Sequence, residues 1–122
     1  WGQFQWLNEP RVTGAQKQIL GLGRIKPGKG HTRHNHEDSE EFIYFLEGKA
    51  NQTIENEDGV QEKELGPGEM VYIPQGAYHS TINVGDGDLV FLCCYLNAGS
   101  ELAIAKDAIE ILPPKNNWKK EE

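Results

Sequence analysis

The sequence predicts an all-β fold, a sandwich or barrel built from many short strands. Gly and Pro occur together at short intervals, in Lys26–Gly28, Gly66–Gly68 and Pro74–Gly76. Between these turn signals lie short stretches rich in Ile, Val, Phe, Tyr and Thr. Short strands separated by turns at this spacing are typical of β-sandwiches and barrels.

Each predicted strand is an apolar or alternating run that ends at one of these turns. Asn56–Gly59 is expected to form a hairpin turn between two of them. Leu89–Leu96 is the longest apolar run and is predicted to be a buried strand. The predicted strands, in order, are Gln16–Ile25, His31–His36, Glu41–Leu46, Ala50–Asn56, Val60–Leu65, Met70–Ile73, Ala77–Val84 and Leu89–Asn97.

The two ends of the chain flank this strand-rich region. At the N-terminus Phe4 and Trp6 alternate with glutamines, which predicts an additional edge strand. Near the C-terminus Ser100 is a suitable cap for a short helix through about Ala108. We expect one domain over residues 1–122, with an N-terminal arm or edge strand (1–15), a barrel (16–97) and a C-terminal segment that is a short helix or tail (98–122).

Composition and charge limit the classes of partner. The 122 residues carry a net charge of −7, which disfavours binding to a phosphate backbone, so we expect no nucleic-acid partner. No apolar run approaches the roughly 20 residues that span a bilayer, and the N-terminus lacks the pattern of a signal peptide. The only cysteines, Cys93 and Cys94, are adjacent and are predicted to stay reduced, which favours a cytoplasmic location.

Three of the four histidines fall in a pattern that predicts metal binding. His34 and His36 are two residues apart, a spacing that places both imidazoles on one face of a strand. Glu41 begins the next predicted strand, and His79 follows a distant turn. A closed sheet can bring these strands together around its interior. Three imidazoles and a carboxylate are good ligands for Mn, Fe, Co, Ni or Zn.

The same residues resemble the two motifs of the cupin family. The first motif, G-x5-H-x-H-x3/4-E-x6-G, matches Gly28, His34, His36, Glu41 and Gly48. The second, G-x5-P-x-G-x2-H-x3-N, matches Gly68, Pro74, Gly76, His79 and Asn83. Both motifs are complete and span nearly half of the chain.

The resemblance implies a fold, a ligand set and a class of activity. The fold is the cupin double-stranded β-helix, a jelly-roll barrel. The implied ligands of one divalent metal per chain are His34, His36, Glu41 and His79, with Fe or Mn favoured and Ni, Zn or Co possible. Glu41 is chosen over Glu40 because its six-residue gap to Gly48 fits the motif.

The resemblance leaves three functions open. The first is an enzyme on a small oxygenated substrate, with a dioxygenase-like oxidoreductase favoured over an isomerase or decarboxylase. The second is a module that binds a sugar or small acid. The third is a storage or structural barrel, which the acidic charge and the complete ligand set disfavour. Fold alone does not decide among them.

Two further residue patterns suggest roles around the site. Gln52 lies on an inward row with Ala50 and Ile54 and is predicted to line the substrate pocket. His31 has the opposite parity to His34 and is expected to face away from the ligands.

The apolar strand faces predict a second copy of the chain as a partner. Phe42, Tyr44 and Leu46 form one apolar face of their strand, and the opposite face is also apolar. A strand that is apolar on both faces is usually covered on both, so we expect a homodimer. The N-terminal Trp1, Phe4 and Trp6 are expected to contribute to the same interface.

Overall fold

The predicted all-β fold is confirmed in the computed structural model, which describes residues 1–96 and 109–113. All the regular secondary structure in these residues is β-strand. No helix that could cross a membrane is present among them. The helix predicted for Ser100–Ala108 and most of the C-terminal segment lie outside the described residues. The strands are β1 (Gly2–Asn8), β2 (Gln18–Ile25), β3 (Gly30–His34), β4 (Glu41–Glu47), β5 (Ala50–Asn56), β6 (Gly59–Leu65), β7 (Met70–Ile73), β8 (His79–Asn83), β9 (Leu89–Leu96) and β10 (Ile109–Ile111).

The strands form two sheets with nested pairing. The larger sheet has the order β10-β1-β2-β9-β4-β7, and the smaller has the order β3-β8-β5-β6. The hairpin of β5 and β6 is the innermost pair, followed by β4 with β7, β3 with β8 and β2 with β9. Successive pairs alternate between the sheets, which is the jelly-roll arrangement predicted from the motifs.

The core lies between the two sheets and follows strand alternation. On β4, Ile43 and Phe45 are buried, whereas Phe42, Tyr44 and Leu46 are exposed. The buried apolar residues of β2, β7 and β9 extend the same layer.

Two expectations about the N-terminus are wrong. β1 is not an edge strand, because β10 pairs with it in parallel and occupies the edge. Phe4 and Trp6 are 3% and 6% exposed and pack in the chain's own core, so they are not available to a partner. Trp1 is half-buried and stacks on His31, with ring centroids 5.3 Å apart. The alternation of β1 therefore reflects burial of one face in the core.

Candidate metal centre

The structure brings together the four predicted ligands. His34 ends β3, and His36 follows two residues later. Glu41 begins β4, and His79 begins β8, where it pairs directly with His34 across the sheet. One ligand atom from each side chain lies within 4.8 Å of all the others. Two adjacent strand ends from one sheet and one from the other thus converge on a single point.

Short contacts between loops hold His36 against the β8 end. The carbonyl of His36 accepts a hydrogen bond from the Gly76 amide at 3.0 Å. The Asn35 side-chain amide donates to the carbonyl of Gly76 at 3.2 Å. The turn that precedes His79 is therefore tied to the segment that carries His36. This explains how a ligand that lies outside any strand is held in place.

Hydrogen bonds on the far side of two imidazoles orient them toward the centre. Nδ1 of His34 lies 2.7 Å from the carbonyl of Thr32, and Nδ1 of His79 lies 3.0 Å from that of Ala77. A carbonyl only accepts, so each Nδ1 carries the proton and donates it. The Nε2 atoms are then left with lone pairs, which is the form of imidazole that binds a metal.

The atoms at the centre fit a cation. Nε2 of His34, Nε2 of His79 and Oε1 of Glu41 are buried and have no hydrogen-bond partner among the described residues. Oε1 of Glu41 is 3.2 Å from Nε2 of His79 and 3.4 Å from Nε2 of His36, without the angles of a hydrogen bond. Buried acceptors that face one another are costly unless something positive lies between them. A divalent metal satisfies all of them.

Electrostatics keep these side chains in their ligand forms. Burial, reinforced by the nearby His31 and His79, lowers the pKa of His34 to about 3. Burial alone would raise the pKa of Glu41, but its interactions with His36 and His79 when those imidazoles are protonated outweigh burial and lower that pKa to about 2. At neutral pH His34 is therefore uncharged and Glu41 is ionised, as metal ligands must be.

A small cavity adjoins the centre. It has a volume of about 30 Å³, enough for one or two waters or a diatomic molecule. Its wall is mainly apolar and aromatic, and it opens beside three of the four ligands. The lining residues are Trp1, Phe4, His31, His36, Glu41, Ile43, His79, Thr81, Phe91, Cys93 and Tyr95.

The expectation that His31 faces away from the ligands is wrong. Its ring stacks on that of His34 with centroids 3.5 Å apart and lines the cavity. The pairing of β3 with β8 shifts register between His31 and His34, so side-chain alternation is interrupted there. This bulge turns both imidazoles to the same side. His31 does not belong to the group of four ligand atoms.

Glu40 and Glu41 point in opposite directions. Glu41 is 8% exposed and reaches the centre. Glu40 is exposed, and its carboxylate accepts a hydrogen bond of 2.6 Å from the Tyr72 hydroxyl on the outer surface.

Gln52 faces the interior but reaches the cavity only through a neighbour. It is 2% exposed, and its Oε1 accepts a hydrogen bond of 2.6 Å from the Thr81 hydroxyl. Thr81 lines the cavity, whereas Gln52 does not. Thr81 is not among the site residues predicted from the sequence. The sequence does contain an indication of its position. Thr81 is two residues beyond His79 on the same strand, so the two side chains point to the same side of the sheet.

Comparisons with known proteins give the family. The sequence model of a protein family, described as the cupin domain, matches residues 21–95 of this chain. An uncharacterized protein of Methanocaldococcus jannaschii is 34% identical over 88 residues, which cover 72% of this chain and 67% of that protein. The structure of KdgF from Halomonas sp. has a TM-score of 0.69 at 14% identity, covers 81% of each chain, and so supports the fold.

Several matched relatives carry the names of enzymes. A glucose-6-phosphate isomerase of Thermococcus kodakarensis is 33% identical over 81 residues, covering 65% of this chain and 42% of that protein. The oxalate decarboxylase of Bacillus subtilis is 33% identical over 72 residues, covering 58% and 19%. A structure of that decarboxylase, described as having Mn(II) centres, has a TM-score of 0.62 at 26% identity and covers 74% of this chain and 26% of that one.

The chain therefore spans less than half of the length of either named enzyme. Its family rests instead on the domain match, which covers more than half of its own residues, together with the complete motifs and the jelly-roll fold. The chain belongs to the cupin family.

Proposed function

We propose that this cupin binds one divalent transition metal per chain through His34, His36, Glu41 and His79, and that it is an enzyme acting on a small oxygenated organic substrate. The observation that supports this most strongly is that the four ligand atoms converge within 4.8 Å, and that those of His34, Glu41 and His79 are buried with no hydrogen-bond partner among the described residues.

The donor set supports several metals. Three imidazoles and one carboxylate suit Fe and Mn, which we favour, and also accommodate Ni, Zn or Co. The Mn(II) centres of the related decarboxylase support the preference for Mn or Fe. When bound, such a metal supplies a Lewis acid or a redox centre with one or two positions open to substrate or water.

The chain's own residues prepare that open position. His34 and His79 are held in one orientation by backbone carbonyls, so the ligands need little reorganisation. The apolar wall from Ile43 and Phe91 limits water to a space of about 30 Å³. A reactant placed there is shielded from bulk solvent.

Within this class we favour a dioxygenase-like reaction. A cavity of this size beside the centre suits a diatomic molecule such as O2. Overall, both oxygen atoms would enter the organic substrate, which itself supplies the four electrons, so that no other reductant is needed. The test is oxygen uptake by the Fe- or Mn-loaded protein with dicarbonyls, catechols and phenols.

A second candidate is a metal-dependent isomerase or decarboxylase, which the names of the two related enzymes favour. In that case sugar phosphates or small dicarboxylic acids are converted without oxygen uptake. If the loaded protein binds such compounds but converts none, it is a sugar-binding or acid-binding module. Oxygen-electrode measurements, product analysis and calorimetry on the same metal-loaded sample distinguish these outcomes.

We also propose a homodimer and a cytoplasmic location. The outer face of β4 exposes Phe42, Tyr44 and Leu46, and Met70 and Tyr72 of β7 continue this apolar surface. A contiguous apolar surface supports association with a second copy. The free thiols of Cys93 and Cys94 support a reducing compartment.

A further inference from the structure

A short chain of hydrogen bonds fixes the polarity of one wall of the cavity. The Gln52 amide donates from Nε2 to the carbonyl of Thr53 at 3.2 Å. A carbonyl cannot donate, so the amide of Gln52 is fixed with Oε1 on the opposite side. There Oε1 accepts the hydroxyl proton of Thr81 at 2.6 Å. The hydroxyl proton of Thr81 therefore points away from the cavity.

With its proton committed to Gln52, the Thr81 hydroxyl can act toward a ligand only as an acceptor. A hydroxyl that has committed its proton retains two lone-pair sites. Thr81 is 2% exposed, and its position two residues beyond His79 on β8 turns its side chain to the same interior side. It lies in a wall that also contains the apolar side chains of Phe4 and Phe91. In such surroundings a ligand gains from placing an O–H or N–H against Thr81 and loses by placing an acceptor there.

We propose that Thr81, oriented by Gln52, is a specificity-determining residue that selects metal-bound ligands able to place an O–H group in the water-sized cavity beside the metal position. This rests on the proposed metal site. Gln52 is a positioning residue, which acts through Thr81 without contacting the ligand. The predicted role of Gln52 at the pocket is thereby replaced by an indirect one.

The test uses two probes that differ by one hydroxyl group. The protein is loaded with Co(II), metal content is measured for every sample, and glycolate and acetate are titrated while the visible spectrum of the metal is recorded. The readout is the ratio of the two affinities. The carboxylate is common to both probes, and any chelation by the glycolate oxygen is common to all variants, so comparison among variants isolates the hydrogen bond.

The wild-type protein should prefer glycolate. Thr81→Val, which keeps the shape of the side chain, should lower that preference by roughly three- to tenfold, the value of one neutral hydrogen bond. Thr81→Ser should keep it. Gln52→Leu should lower it in part, because the Thr81 hydroxyl is then free to rotate and donate into the cavity.

The chain offers a matched control on the same pair of strands. Thr53 and Ser80 share a hydroxyl–hydroxyl hydrogen bond of 2.5 Å, one residue along from Gln52 and Thr81 and on the opposite face. Thr53→Val removes one hydroxyl from β5 without touching the cavity wall. It should leave the ratio unchanged.

Destabilisation is separated from specificity by a double variant. Thr81→Val alone leaves Oε1 of Gln52 buried without a donor, and the fold can suffer for that reason. Thr81→Val with Gln52→Leu removes both partners, should fold better, and should still lack the preference for glycolate.

Each result of the titrations and of the metal analysis either supports or overturns one part of the proposal. A metal-loaded wild-type protein without the preference, a Thr81→Val protein that keeps it, or a Thr53→Val protein that loses it equally would overturn the role of Thr81. Loss in Thr81→Val but not in Gln52→Leu would overturn the orienting role of Gln52. Failure of the wild-type protein to take up metal overturns the proposed function itself, and the metal analysis shows this separately.

Discussion

Asn83, the last residue of the second cupin motif, is expected to stabilise the fold rather than to take part in chemistry. Its side chain is 1% exposed. Nδ2 donates to the carbonyl of Ile25 at 2.9 Å and to that of Gly87 at 2.8 Å, and Oδ1 accepts from the Gly85 amide at 2.9 Å. One amide thus joins the end of β2 to the turn between β8 and β9.

Replacing Asn83 by Ala removes all three hydrogen bonds at once. A net contribution of about 1 kcal/mol from each gives a loss of about 3 kcal/mol in the free energy of unfolding. For a domain of this size, that loss lowers the midpoint of thermal unfolding by roughly 10 °C. Asn83→Asp should lower the free energy of unfolding at least as much as Asn83→Ala. Asp has the same shape as Asn, but a carboxylate oxygen would then face the carbonyls of Ile25 and Gly87.

The assay is urea unfolding of the metal-free proteins, so that metal binding does not add to stability. Asn51→Ala is the matched control, because Asn51 is a half-buried amide on β5 with no side-chain hydrogen bond to the described residues. It should change the free energy of unfolding by less than about 0.5 kcal/mol. A loss below about 1 kcal/mol in Asn83→Ala, or a wild-type stability in Asn83→Asp, would show that these hydrogen bonds do not stabilise the fold.

Two further predictions concern the backbone and the surface. Gly28 and Gly48 both have positive φ, 75° and 88°, so Ala at either position should cost about 1 kcal/mol of conformational strain. Gly48→Ala should destabilise clearly more in urea unfolding, because its Cβ would lie 2.7 Å from the carbonyl of Asp88, whereas nothing lies within 4 Å at Gly28; equal losses would contradict this. Phe42→Lys combined with Tyr44→Glu, at side chains that are 40% and 39% exposed, should convert the proposed dimer to a folded monomer by light scattering. A wild-type protein that is already monomeric at tens of micromolar removes the basis for the dimer.

The sequence predicted most strands because their turns are local. The bounds of Ala50–Asn56 and Met70–Ile73 are those predicted, since Gly and Pro turns fix both ends. The strand predicted for His31–His36 ends at His34, and that predicted from Ala77 begins at His79. Both differences lie where loops fold around the centre, so tertiary contacts override the local strand pattern there.

The remaining errors come from contacts that the local sequence does not encode. β10 has only three residues and pairs with β1, more than 100 residues away, so no local pattern indicates it. The bulge in β3 reverses the direction expected for His31, because a rule of alternation assumes an unbroken ladder. The four ligands could be predicted from the sequence because the spacing of the motif residues indicates which strand ends meet.

Metal binding by these four side chains can be tested by measuring the stoichiometry of bound metal. The protein is loaded with Mn(II), dialysed and analysed for bound metal per chain, as wild type and as the variants His79→Ala and His31→Ala. His31 is the matched control, because it is an imidazole in the same cavity that stacks on His34 but is not among the converging ligand atoms. We predict one metal per chain in the wild type and in His31→Ala, and nearly none in His79→Ala. A wild-type protein that retains no metal, or a His79→Ala protein that retains as much as His31→Ala, would show that these four residues do not form the metal site.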